Sequence, residues 1–487
     1  MDPLTITAAA LTVDDVTAVA AGARVELGPD VYDRIAAARA VVDRALEAGD
    51  AVYGLTTQVG HDRNVRLTDE QIRTEQMFLV MSHAGGFGPP LPTEIVRAAL
   101  LVRLNGIARG GSGASRAVAD TLAALLNAGV HPVVPSTSSV GAGDLGQMAT
   151  IAQVAMGAGH AEHGGEVLPA GEALSRAGIE PLHLSGRDGL ALISVNGASV
   201  GHAALVADRA RRVVTAADLA AALSLEAMAG NPSVLATAVG RAKPIDGQIA
   251  ALAHLQALLD GSDVWEPDAG RSVQDPLSFR VVPQVHGALR EHLAAVTRAV
   301  EVELNAAADN PLVSVEDGTL VSNGNFHPIV LAIACDALRV AIAHVGRLSE
   351  RRMDHLWTGT QQGLMARPYE PRFGLALRYP AAAAVQELRQ LAAPATLDVP
   401  SLDRGVEDHA TGAPLSVRQT DRALGLLEDL LAIEVLLARD MLGVADATRT
   451  LGTGTTALLR TVHRALTDAE PTPGAAHAAL RAHFPAV

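Results

Sequence analysis

Aromatic side chains are scarce: 2 Trp, 4 Tyr and 6 Phe among 487 residues. Because 49% of the residues are nonetheless hydrophobic, the apolar bulk is aliphatic. That much apolar surface offsets the entropy of ordering and excludes a disordered chain. Cysteine is nearly missing as well. Cys335 stands alone, so no intrachain disulfide can form, and a reducing compartment is favoured. Positive charge is short too, with 38 Lys and Arg against 53 Asp and Glu and a formal net charge of −15. Nucleic acid is therefore a poor main partner, since phosphate binding needs clustered basic residues. The first basic residue is Arg24, behind Asp2, Asp14 and Asp15, which leaves no charged start for a targeting segment. Long apolar runs are absent: the stretch from Pro328 to Cys335 meets Asp336 well short of the ~20 residues a membrane helix needs. The expectation is a soluble cytoplasmic protein that binds neither membrane nor nucleic acid.

What is present is helical periodicity. Leu289, Leu293, Val296, Val300 and Leu304 follow steps of three and four, one stripe on a helix over 286–304. Leu424, Leu427, Leu431, Val435 and Leu442 do the same over 417–443, between Pro414 and Gly443. Further Ala- and Leu-rich segments lie at 93–109, 115–128, 200–229, 245–260, 328–352 and 456–469. Strand-like alternation is sparse and short, near 165–168 and 312–321. Length gives a soft prior of two to four domains. Yet the 45 Gly and 25 Pro gather in short loops at 84–90, 110–113, 130–146 and 368–374 rather than in one linker. A single all-α unit over 1–487 is expected, loop-rich to about 200 and a helical bundle beyond. Its long stripes suit helix-on-helix packing within an oligomer.

Four loops hold residues that are costly as mere connections. Tyr53 sits in Tyr53-Gly54-Leu55-Thr56-Thr57, and a phenol serves as a base only where positive charge or hydrogen bonds favour the phenolate. The bland reading is a structural tyrosine. Gly141-Ala142-Gly143-Asp144 leads into a helical stretch at 147–157, as an open turn or with Asp144 as its cap. No Lys follows, so it is not a nucleotide loop. Gln274-Asp275-Pro276-Leu277-Ser278-Phe279-Arg280 offers a guanidinium fork to a carboxylate, or an internal salt bridge. Glu407-Asp408-His409 stands before the 417–443 helix, for a cation or a cap. His160 and His163 lack a third ligand at convincing spacing, so no metal site is assigned.

The order of these segments is more specific than any one. Tyr-Gly-Leu-Thr-Thr, Ser82-His83-Ala84-Gly85-Gly86, Gly-Ala-Gly-Asp-Leu145 and Asp188 to Leu192 with Asn196-Gly197 come first. Gln274 to Arg280, Asp309-Asn310-Pro311, Gly324-Asn325-Phe326-His327, Ser349-Glu350-Arg351-Arg352 and Glu407 to His409 follow. From about residue 4 to about 470 the chain resembles the histidine, phenylalanine and tyrosine ammonia-lyase superfamily, and it is most similar to the histidine branch. The resemblance implies an all-α fold with an elongated central bundle. It also implies a homotetramer with active sites shared between subunits, and elimination of an amine from a histidine-like or aromatic amino acid to give an arylacrylate. Tyr53 would then be the loop base and Arg280 the carboxylate clamp, with Asn196 orienting the substrate. His83 and Glu407 would face an imidazole, and Gln274, Asn310 and Phe326 would complete the pocket.

The chain also departs from that family. Its electrophile, methylidene-imidazolone, is built by cyclising Ala-Ser-Gly, whereas here Gly141, Ala142, Gly143 and Asp144 run on without the serine. The family's Tyr after Gln-Asp-Pro is Leu277, Gln58-Val59 replace Gly-Phe, Val406 replaces Gln, and two extra residues precede Asn196. No methylidene-imidazolone, no other cofactor and no metal are expected. Three readings fit. The first is an ergothionase-like lyase, releasing trimethylamine from a betaine such as ergothioneine. The second is a conventional ammonia-lyase or aminomutase. The third is a non-catalytic homologue with a binding or assembly role.

Overall fold

The apolar stripes become helices close to the expected limits. In the computed structural model, which describes residues 3–366, 374–397, 399–444 and 449–484, helices take 64% and strands 7%. The two quoted stripes form helices Val282–Leu304 and Ala413–Val444, and the other long segments include Thr93–Ala108, Gly197–Ala227 and Ile329–Ala366. The short alternating segments form Glu166–Pro169 and an antiparallel pair, Leu312–Ser314 with Thr319–Val321. The fold is all-α, with a long helical bundle. Of the expected loop at 368–374, residues 368–373 lie outside the described residues.

Contacts group the chain into two units. The first holds Met1–Asp208, Thr297–Ile333 and Ala395–Arg418; the second holds Arg209–Val296, Ala334–Pro394 and Gln419–Val487. In the first, helix Thr93–Ala108 is buried on every side from Ile95 onward, polar residues included. Arg103 makes that tolerable by a two-pronged bond to Asp309, at 3.0 and 3.2 Å, with both side chains fully buried. Arg187 donates to Ser112 O at 2.7 Å and Pro311 O at 2.5 Å. These charge-assisted bonds tie the Asp309-Asn310-Pro311 segment to the core rather than leaving it a free loop.

The second unit is built around buried carboxylates. Glu434 accepts from Ser224 and Ser349 hydroxyls at 2.6 Å and from Arg352 Nε and Nη2 at 2.6 and 2.9 Å. Asp218 accepts from His254 Nδ1 and His286 Nδ1 at 2.7 Å and from Arg290 Nη2 at 2.5 Å. Two helical stretches, Asp188–Ala227 and Ile329–Gly363, are long and apolar enough to cross a membrane. The first buries 94% of its apolar window inside the protein and the second 56%, so the first is a core element by its packing.

Candidate active site

The Tyr53 loop folds back on itself through local hydrogen bonds. Thr56 Oγ1 accepts from Val52 N–H at 2.9 Å, Gln58 N–H donates to Val65 O at 3.0 Å, and Leu67 N–H to Thr56 O at 3.0 Å. The buried Gln76 amide then anchors it, donating to Gly54 O and accepting from Leu190 N–H, both at 3.0 Å. Gly54 has φ +62°, and a Cβ there would lie 2.5 Å from Leu190 Cδ2, so both its conformation and the close approach require glycine.

This anchoring brings separated segments around one cavity of about 400 Å³ in the first unit. Tyr53, His83, Ala142, Asn310, Phe326 and Glu407 line it, together with His61, Ser194, Asp403 and an apolar side of Val59, Leu79, Leu145, Leu190 and Ile193. Asn196 lies just behind: its Nδ2 donates to Phe326 O at 2.6 Å, while its buried Oδ1 has no hydrogen-bond partner. Asn310 Oδ1 accepts from Asn323 N–H at 3.1 Å. Gln274 and Arg280 belong to the second unit and do not line this cavity. With its amide oxygen towards the guanidinium, Gln274 accepts from Arg280 Nη1 and Nη2 at 2.7 and 2.5 Å, and Leu277 beside them is exposed.

The electrostatics are those of an anionic wall. Tyr53 Oη accepts from Gly60 N–H at 3.1 Å. Burial, and then the charges of Glu407 and Asp403, push the phenol above its ordinary range, opposed by the Gly60 bond and by Arg63. Burial also raises the Glu407 carboxyl, with Asp403 adding to the rise and His83 opposing it. His83 Nδ1 lies 2.7 Å from Leu79 O, a pure acceptor, so that nitrogen carries the proton and Nε2 is the one left for a ligand. Such perturbed groups around a cavity are the usual mark of a functional site.

The glycine loop is pinned from two sides. Asp144 N–H donates to Val195 O at 2.8 Å, and Thr411 Oγ1 donates to Gly141 O at 2.8 Å. Asp144 stands at the start of helix Leu145–Ala155 but its side chain makes no cap bond. Its carboxylate turns instead to Ser199, accepting from N–H at 2.6 Å and Oγ at 2.8 Å, and burial raises it to about 6. Gly141 and Gly143 have φ of +91° and +78°, and the only side chain between them is the Ala142 methyl. The nearest hydroxyl upstream, Ser139, is committed to Gln147 Oε1 at 2.5 Å. These residues do not fit the methylidene-imidazolone that the family normally forms from Ala-Ser-Gly, because no side-chain oxygen-bearing carbon is there to become the methylidene.

Three polar lining residues carry no signal in the motifs, His61, Ser194 and Asp403. Asp403 Oδ1 meets His61 Nδ1 at 2.5 Å. Asp403 and Arg404 adopt φ of +46° and +55° before Gly405 at +83°. Two successive non-glycine residues in that region cost of order 1–3 kcal/mol each, strain that tends to persist at functional sites. The Asp-x-Gly spacing was the one signal available for this turn. Glu407, expected as a helix cap or cation ligand, is on the cavity, and helix Ala413–Val444 starts six residues later with Pro414 inside its first turn.

An all-α chain with a glycine loop and a tyrosine loop around one cavity defines the class to which comparison then leads. A model of the aromatic amino acid lyase family matches residues 11–464. Histidine ammonia-lyase from Anaeromyxobacter sp. (strain K) is 40% identical over 460 residues, covering 91% of this chain and 90% of that one. Among solved structures, ergothionase from Treponema denticola, in complex with desmethyl-ergothioneine sulfonic acid, superposes with a TM-score of 0.93 at 28% identity, covering 99% of both chains. Tyrosine aminomutase from Streptomyces globisporus gives 0.90 at 28% identity, covering 99% of this chain and 97% of that one. The chain belongs to the aromatic amino acid lyase family, and it is a carbon–nitrogen lyase of that superfamily.

Proposed function

We propose that this lyase removes trimethylamine from an imidazole-bearing betaine, giving an arylacrylate without a methylidene-imidazolone. One observation carries the reading: the Tyr53 cavity is assembled around a glycine loop that lacks the serine from which the electrophile is built. A primary ammonium leaves poorly and its β-hydrogen is barely acidic, which is why the family uses an electrophile. A trimethylammonium group needs none. It acidifies neighbouring hydrogens and departs as a neutral amine.

Tyr53 phenolate takes the β-proton, the C–H electron pair becomes the Cα–Cβ double bond, and the Cα–N pair leaves with trimethylamine. Burial and the anionic wall raise the free phenol, so the positive charge needed to ionise it comes with the substrate. Glu407 faces that cation or the ring, His83 Nε2 faces the imidazole, and the unpaired Asn196 Oδ1 accepts a substrate hydrogen. Asn310 and Phe326 close the pocket wall. Gln274 and Arg280 hold the substrate carboxylate from a neighbouring copy, in a cytoplasmic homotetramer. The family's oligomeric habit and the similarity to ergothionase support this arrangement.

The 40% identity to a histidine ammonia-lyase favours a second reading, in which histidine loses ammonia. Peptide mass spectrometry over 142–144 separates the two. An unmodified mass is expected, and loss of two waters there would show a ring and remove the basis of the betaine reading.

A further inference from the structure

The strained turn carrying Asp403 reaches the hydroxyl of Tyr53 by a short path. Leu402 N–H donates to Glu407 O at 2.8 Å and Glu407 N–H to Leu402 O at 3.3 Å, closing the turn that displays both carboxylates. One Asp403 oxygen meets His61 Nδ1 at 2.5 Å, while His61 Nε2 lies 3.2 Å from Asp62 Oδ2. The other lies over Gly60, where a Cβ would approach it to 2.3 Å and where φ is +61°. The same Gly60 supplies the N–H that donates to Tyr53 Oη at 3.1 Å. Between Asp403 and the phenol there are only His61 and one peptide.

We propose that Asp403 is a positioning residue: its carboxylate, on His61 and over Gly60, fixes the turn whose Gly60 N–H holds the Tyr53 hydroxyl. This rests on the reading of Tyr53 as the base only for its effect on rate; the coupling to the phenol stands apart from it. The left-handed conformation is part of the device. Asp and Asn tolerate it through short local hydrogen bonds, whereas Ala does not.

Asp403 acts on the phenol in two opposed ways. Its negative charge disfavours the phenolate, and the turn it fixes supplies the hydrogen bond that favours it. The other charged or titratable groups facing Tyr53 are His61 and Arg63 on its own loop, His83 on helix Asp69–His83, and Glu407 on the turn. Helix Asp188–Ile193 brings only Leu190 and Ile193, because Asp188 is turned to Ser115 and Ser185. The glycine loop brings Ala142 and Leu145.

Asn and Ala at position 403 therefore separate charge from positioning. Asn keeps an acceptor for His61 and the left-handed turn while removing the charge; Ala removes all three. The test incorporates 3,5-difluorotyrosine at position 53, whose phenol ionises near neutrality, and follows its absorbance against pH in the full-length protein. Asp403→Asn is expected to lower the ionisation midpoint. Asp403→Ala, and His61→Ala as an independent cut in the same path, are expected to raise it by about half a pH unit or more. With natural tyrosine, kcat should fall about tenfold or more in the Ala variants and stay within about threefold in Asp403→Asn, with KM moving less. If Asp403→Ala lowers the midpoint together with Asp403→Asn, Asp403 acts by charge alone, and if it leaves the midpoint unmoved, the turn does not hold the hydroxyl; either result overturns the proposal. Should Tyr53→Phe keep its rate, the base assignment fails instead, while the titration still decides the coupling.

Discussion

The Glu434 cluster of the second unit and the Tyr53 cavity of the first handle buried polar groups in opposite ways. Glu434 receives four donors, two of them from the fully buried Arg352, and its neighbours Ser224 and Ser349 are consumed in the process. Around the cavity the groups are left open: Asn196 Oδ1 has no partner, Glu407 is raised by burial, and Tyr53 has one donor against two carboxylates. The first arrangement spends its hydrogen-bonding capacity on the fold. The second leaves it unspent, which is the state the proposed function requires before substrate arrives.

That contrast breaks most visibly in kinetics. Tyr53→Phe should lower kcat/KM by about 10²–10⁴-fold, the usual worth of a general base. Circular dichroism and the melting temperature should hardly change, because the lost hydroxyl accepts a single bond from a loop. Retained rate in this variant beside a collapse in His83→Ala would move the base to His83. Glu434→Gln should do the reverse. It leaves Arg352 buried without its charge partner, and breaking a buried pair of this kind costs about 3–5 kcal/mol. Denaturant unfolding should show that loss, while kcat of the protein still folded stays near wild type.

Arg280→Lys sharpens the comparison, since Arg280 lies in the second unit but is assigned to substrate. Loss of the fork should weaken transition-state binding by about 2–5 kcal/mol, and a substrate ester should be equally poor with wild type. Full activity in the Lys variant would reduce Arg280 to the structural partner of Gln274.

The smallest effect is on stability against pH. Burial raises Asp144 to about 6, above its unfolded value, so its protonation favours folding at low pH and that gain is lost as pH rises through about 6. Asp218 is the opposite case. Burial pushes it up, but hydrogen bonds from His254 and His286 and the charge of Arg290 outweigh burial and hold it below the carboxylate range. Its contribution is present above the unfolded value and disappears as pH falls. Asp144→Asn should flatten the melting temperature between about pH 4 and 6, and Asp218→Asn should blunt the loss below about pH 4. Parallel profiles for both variants and wild type would contradict the assignment.

Much of this contrast was legible along the chain, for definite reasons. Apolar steps of three and four survive as helices because packing demands one face, and Val282–Leu304 and Ala413–Val444 follow from five residues apiece. The cavity's Tyr53, His83, Ala142, Asn310, Phe326 and Glu407 came from the order of short motifs. Asp403 did not, because its importance lies in a backbone conformation that an Asp-Arg-Gly triplet permits without requiring. Glu434 was equally silent: its partner Ser224 is 210 residues away, and nothing local to either marks the pairing. The missing serine was the reverse case, a local absence that the pinned glycine loop then framed.

The central claim is that the amine leaves without the family electrophile because it is already quaternary. Separate assays of trimethylamine and ammonia, beside acrylate absorbance, test it directly with hercynine, ergothioneine, histidine and phenylalanine. Trimethylamine is expected in step with the new absorbance from one of the two betaines, with no ammonia from either amino acid. Ammonia released from histidine or phenylalanine, with the betaines inert, would contradict it.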